Sequence, residues 1–120
     1  MKILSIREPW ISCIVFFGKR IENRTWSTKH TGKLGLHKSM WKPRKHEIES
    51  AADAAGVSVE ELVGAMKRLP HGHVVATCEL VGMVEWSNNP WHIEGQTGWW
   101  LDRVRRIKPL EKKGRLGLFS

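Results

Sequence analysis

HVVATCELVGMVEW, from His73 to Trp86, is the longest strand-like run in the chain, and its reading sets the fold. Val74, Ala76, Cys78, Leu80, Gly82, Val84 and Trp86 fall at every second position, which places them on one side of an extended segment. An apolar row of that length belongs against a core, so the run predicts a long strand with one face inward. The other face carries Val75, Thr77, Val81 and Met83, and among them one isolated charge, Glu79.

Working outward, Pro70, His71 and Gly72 stop a helical stretch just before this strand. Val59, Leu62, Val63 and Met66 give that stretch an apolar face. Ser58 and Glu61 have capping-box spacing, with Val57 and Leu62 set as a hydrophobic staple. Pro43 opens an earlier helix through the Ala-rich segment to Gly56, so a helical pair is expected over about residues 43–69. Nearer the start, Lys2 to Arg7 alternates weakly as a strand, and Pro9 is placed to begin a helix. Trp10, Cys13, Ile14 and Phe17 recur at helical spacing, and Gly18 suits the position just past the helix end. Ile21 to Trp26 reads as extended, Ser27 to Gly32 as a turn, and Lys33 to His37 as a strand, together suggesting a hairpin behind the helix. Downstream, Trp99 to Ile107 and Arg115 to Phe119 read as two more strands. Five to six strands with an early helix and an inserted helical pair predict a small α+β domain built on a curled sheet or barrel.

The 120 residues fit a single domain over 1–120, large enough for a core without disulfides or metals. Cys13 and Cys78 lie far apart in apolar stretches, which reads as two reduced, buried thiols in a cytoplasmic protein. The longest apolar run, Ile11 to Phe17, is too short to cross a bilayer, and no membrane partner is expected. A net charge of +8 and a pI near 9.9 favour an anionic partner such as nucleic acid, a property shared by basic proteins that bind none. The basic runs are Lys42, Arg44 and Lys45; Arg103 to Lys108, with Arg105 and Arg106; and Lys112 to Arg115. Each alone is an ordinary solvated face. Three on one small domain, interleaved with Trp41, Trp99 and Trp100, favour a nucleic-acid surface. Seven Trp and no Tyr point the same way, since Trp stacks well on bases and cations, although it is equally a large core residue. His71 and His73 offer two metal ligands without a third at recognisable spacing. No Gly-rich phosphate loop or Ser-centred elbow is present, so neither metal nor cofactor is expected.

GKRIENRTW, from Gly18 to Trp26, sets Lys19, Glu22 and Arg24 within six residues, between the early helix and an extended run. A Lys can hold a phosphate or carbonyl oxygen, a carboxylate accepts the donors of a base edge, and an Arg clamps either or stacks on a ring. The plainer reading is an exposed ion cluster worth under about 1 kcal/mol per pair. Trp10 and Trp26 bracket the motif as possible stacking walls. Glu79 is either a second functional carboxylate or a half-exposed Glu bridged to a neighbouring strand.

In order along the chain, LSIREPW, GKRIENRTW, GKLGLHKS, VVATCELVGMVEW, GWWLD and KGRLGLF resemble the ASCH domain, the ASC-1 homology family of the PUA-like superfamily. The family signature is Gly-x-Lys-x-x-Glu-x-Arg. Lys19, Glu22 and Arg24 match it, while Phe17 holds its Gly position and Gly18 follows one residue later. The resemblance implies a PUA-like β-barrel with a cleft lined by the motif, next to the strand bearing Glu79, that binds RNA or a modified nucleoside. Some members resemble amidohydrolases of N4-acetylcytidine that use a Lys, a Thr three residues later and a strand Glu. Lys19 and Glu79 match there, but Glu22 holds the place of the Thr. Three readings follow: an RNA- or modified-nucleoside-binding domain; a small amidohydrolase with Lys19, Glu22 and Glu79 as catalytic groups; and a protein-interaction domain with an incidental basic surface.

Overall fold

A computed structural model describes residues 1–120. In chain order its elements are β1 (Lys2–Ile6), α1 (Trp10–Phe16), β2 (Ile21–Arg24), β3 (Gly32–Lys38), α2 (Lys45–Ala55), α3 (Val59–Met66), β4 (His73–Val84), β5 (Thr97–Glu111) and β6 (Leu118–Phe119). One mixed sheet takes all six strands in the order β2-β5-β4-β3-β1-β6. This curled sheet with three helices is the expected α+β architecture and is consistent with a PUA-like barrel. No helix is long and apolar enough to cross a membrane.

β4 forms where the alternating run predicts it, but its inward face is not the single row that alternation implies. The β4–β5 register shifts between Val74 and Ala76, between Thr77 and Glu79, and between Leu80 and Gly82. Each such bulge bends the ladder, and an extra residue swaps the faces of the side chains beyond it. Val75 joins Ala76, Cys78 and Leu80 in the core because β4 carries an extra residue there against β3, where the register shifts between Leu36 and His37. The extra β4 residue between Leu80 and Gly82 sets Gly82 opposite the exposed Trp100, and Trp86 is 80% exposed beyond the strand end. At the middle bulge Arg103 sits at φ 51, its N–H donating 2.8 Å to Asp102 Oδ1. That contact helps hold a non-glycine residue in the left-handed region.

Two other expectations are corrected. β2 and β3 make no hairpin: β2 pairs with β5, while β3 pairs with β4 and, in parallel, with β1. Parallel strands need a long crossover, and α1, β2 and the following turn supply it. The strand expected over Arg115 to Phe119 shrinks to β6, which pairs with β1 through Leu118 and Phe119. In α1, Pro9 lies just before the helix rather than inside its first turn, and Gly18 past its end adopts φ +74. Ser58 caps α3 by accepting from Glu61 N–H at 3.0 Å, and Val57 packs in the same cluster as Leu62, the staple its spacing predicts.

α1 separates two apolar clusters. Ile11 and Ile14 join Leu4, Leu34, Leu80 and Trp99 over the sheet, while Cys13 packs with Ala51, Ala52 and Leu62 of the helical pair. Where α1, β3 and the end of α3 meet lies a buried ion pair, Glu8 Oε2 to Lys38 Nζ at 2.9 Å. Ser12 donates to Glu8 through its N–H at 3.1 Å and its hydroxyl at 2.7 Å, and Lys38 donates to the Met66 and Leu69 carbonyls at 2.8 and 2.9 Å. Removing one partner of such a pair strands the other charge away from water. Lys38→Met is expected to cost about 3–5 kcal/mol of stability in urea unfolding followed by circular dichroism. Adding Glu8→Gln to it should recover part of that loss, and a double variant as weak as the sum of the singles would show the pair uncoupled.

Candidate functional site

β2 starts three residues after Gly18 turns the chain, so its alternation sends Glu22 and Arg24 to one face. Glu22 lies opposite Trp99 in the ladder, and Trp99 is fully buried, so this is the core face of the sheet. Glu22 accepts a different cation on each oxygen: Lys19 Nζ lies 3.0 Å from Oε1, and Arg24 Nε lies 3.2 Å from Oε2. The second contact is a charge contact without hydrogen-bond alignment, because Arg24 Nε makes no aligned bond to any acceptor. Lys19 also donates to the Ile21 carbonyl, and Arg24 Nη2 donates to the Ser5 carbonyl at 2.7 Å. Lys19 and Glu22 are 2% and 7% exposed and Arg24 is half-buried, so the motif is a largely buried triad and not a surface ion cluster.

The triad lines a cavity of about 410 Å³ between the sheet edge, α1, α2 and the β4–β5 connection. Trp10 stands in its wall, with Lys19 Nζ 5.9 Å from the ring centroid. Trp91 and Pro90 come from the connection, Ser50 and Ala54 from one face of α2, and Ser5 and Arg7 from β1 and the residue after it. Three lining cations, Arg7, Lys19 and Arg24, stand against one carboxylate, Glu22, so the cavity has a formal surplus of positive charge.

Asn23 holds the connection in place. Its Nδ2 donates to the Trp91 carbonyl and its Oδ1 accepts from Ile93 N–H, both at 2.9 Å. Within the connection, Asn89 Oδ1 accepts from Trp91 N–H at 2.9 Å, and His92 contacts Ser87 Oγ and the Gln96 carbonyl, each at 2.8 Å. Gly98 makes the close approach possible: a Cβ there would sit 2.8 Å from Val84 and 3.0 Å from Ile21.

Of the residues singled out from sequence, the structure brings Lys19, Glu22, Arg24 and Trp10 to this cavity and does not bring Trp26 or Glu79. Trp26 packs edge-on against Trp99, with ring centroids 4.7 Å apart, and its carbonyl accepts from Trp99 Nε1 at 3.1 Å. Glu79 is exposed, flanked by the core residues Cys78 and Leu80, and it pairs across the ladder with Lys33 and Asp102. It therefore occupies the sheet face opposite Glu22, and no Lys19–Glu79 pair forms at the cavity. Lys42, Arg44, Lys45, Arg105 and Arg106 are exposed and outside the cavity, with Arg106 stacked 5.0 Å over Phe16. Trp99 is in the core, so it offers no ring for stacking, whereas Trp100 is 47% exposed. Asn23 and Trp91 are residues of the candidate site that the sequence reading does not single out. Only the Asn-Asn-Pro-Trp composition of residues 88–91 marks that segment as an ordered loop.

Both cysteines are poor nucleophiles. Burial pushes the Cys13 and Cys78 thiols up to about 12, against the opposing pull of Lys19 on the first and Arg20 on the second. Because the folded chain keeps these protons more tightly, the stabilisation is complete below the unfolded value of 9.0 and is lost as the pH rises towards 12. Urea midpoints should therefore fall as the pH rises above 9.0, and Cys78→Ala should lower the whole curve while flattening its alkaline slope. An unchanged slope would mean that other groups govern alkaline unfolding. Asn23→Ala should cost about 1–3 kcal/mol and speed proteolysis between Trp86 and Gln96, with Asn23→Asp intermediate because it keeps the acceptor for Ile93. Unaltered cleavage would show that the connection holds itself.

No family model matches the chain. Activating signal cointegrator 1 of Homo sapiens is 40% identical to it over 45 residues, which is 38% of this chain and 8% of that protein's length.

Proposed function

We propose that this is an ASCH-type domain whose cavity receives one base of RNA, or a modified nucleoside, edge-on against Glu22. The observation that carries the reading is the carboxylate held by Lys19 and Arg24 in the floor of a cavity with Trp10 and Trp91 in its walls. A volume of about 410 Å³ lies in the range of pockets that enclose small ligands. Glu22 accepts from amino or ring N–H donors of the base edge, the surplus cations face its carbonyl oxygens, and the Trp faces cover its apolar surface. The resemblance of the motifs to the ASCH family and the stretch shared with Activating signal cointegrator 1 both support an RNA-binding type of domain.

The hydrolase alternative loses its proposed pair, since Glu79 is on the far face of the sheet. What remains near Lys19 is Glu22, already committed to two cations. The protein-interaction alternative predicts no dependence on a base.

The test is calorimetric titration with free nucleosides, N4-acetylcytidine among them, and with short single-stranded RNAs at several salt concentrations. Trp10→Ala should weaken binding by about 1–3 kcal/mol. Glu22→Gln should change which base is preferred and leave the salt dependence nearly constant, because a carboxylate releases no counterions. Absence of binding at low salt would remove the reading, and acetate release from N4-acetylcytidine would replace it with the hydrolase.

A further inference from the structure

A second cavity, of about 1110 Å³, adjoins the first. Ser5, Arg7 and Arg24 line both, so the two hollows share a wall. Besides Arg7 and Arg24, the second is lined by Lys112, Lys113 and Arg115, against Glu111 as its one lining carboxylate. Trp41, 41% exposed, stands at its side with the Arg7 guanidinium stacked 4.8 Å from its ring centroid.

The basic segment is held in place. His37 is 1% exposed, and its Nε2 lies 2.6 Å from the Lys112 carbonyl, which can only accept, so Nε2 carries the proton. Nδ1 is then free to accept from Ser5 Oγ, 2.9 Å away in the shared wall. Lys112 N–H donates to the Gly72 carbonyl at 3.0 Å, and a Cβ on Gly114 would come within 2.9 Å of the His37 ring. The backbone of the segment therefore rests on His37, which sets its cations along the cavity and leaves only their side chains to be ordered on binding.

We infer that the second cavity binds the phosphodiester backbone and a neighbouring stacked base of a single-stranded RNA whose target base occupies the first. This rests on the reading proposed above and extends it: the physiological ligand is a strand and not a free nucleoside. Three observations carry it. The shared wall makes one continuous path, five cations face one carboxylate in the second cavity, and Trp41 supplies a stacking surface at its side. A single strand fits because a base edge enters the first cavity only when it is splayed out of a duplex. Arg7 and Arg24 then sit at the branch point, where the base turns off the backbone.

The test pairs two ligands, a free nucleoside bound by the unaltered chain and a mixed-sequence single-stranded RNA of about eight nucleotides, a length within usual strand site sizes. The triple variant Lys112→Ala, Lys113→Ala, Arg115→Ala keeps every backbone contact to His37 and Gly72. It should weaken RNA binding tenfold or more at low salt and lower the logarithmic salt slope by about two, at about 0.7 per phosphate contact on single strands. Its affinity for the nucleoside should be unchanged. Trp41→Ala should weaken RNA binding with the salt slope retained. If the triple variant binds RNA with the parent affinity and slope while Trp10→Ala loses both ligands, the first cavity stands and this extension is wrong. If the unaltered chain binds neither ligand, the nucleoside reading itself falls and takes the extension with it. Equal weakening for a DNA of the same sequence would show that the second cavity reads phosphates without selecting the sugar.

Discussion

The pair Glu8–Lys38 is the joint on which the arrangement turns. It binds the residue that leads into α1 to the last residue of β3 and, through two carbonyls, to the end of α3. A charge so deeply buried is costly unless every lone pair and proton is satisfied, and here Ser12, Met66 and Leu69 complete the set. Hydrophobic packing is tolerant of small rotations and this contact is not. It therefore fixes how α1 crosses the sheet, and with it where Trp10 projects and where the chain emerges at Lys19.

The triad at Lys19, Glu22 and Arg24 has a different character. Its two cations and one anion leave positive charge over, and Arg24 Nε is incompletely satisfied. A fold seeking stability alone would do better with apolar residues at these places. This polar arrangement, open to a cavity, keeps one buried donor without an aligned acceptor, which structural packing alone does not explain. The contrast with Glu8–Lys38, complete and closed, lies within one small domain.

Much of this was legible in sequence because it depends on local pattern. The β4 run, the Ser58 cap, the Gly18 stop and the spacing of Lys19, Glu22 and Arg24 each express a rule that acts over a few residues. Strand partners were less accessible: β2 leaves β3 for β5 because the choice is made by packing across the sheet, including Trp26 against Trp99. The place of Glu79 failed for a related reason. Periodicity correctly put it on the outer face, yet the cavity opens on the inner one at the β2 edge of the sheet, with β5 between that edge and β4. Asn23 and Trp91 were invisible because 68 residues separate them and only the folded connection makes them neighbours.

The helical pair touches the first cavity lightly, through Ser50 and Ala54, one turn apart on α2. Both are small, and neither takes part in the hydrogen bonds that organise the triad. The wall opposite the chemistry is thus a separable part, whose side chains set how deep the hollow is without disturbing the charges at its floor. Larger side chains at those two positions would fill the hollow from the α2 side while the contacts of Glu22 on β2 stay as they are. The depth of the hollow and the charge at its floor are thus set on different segments of the chain, and each can be altered without the other.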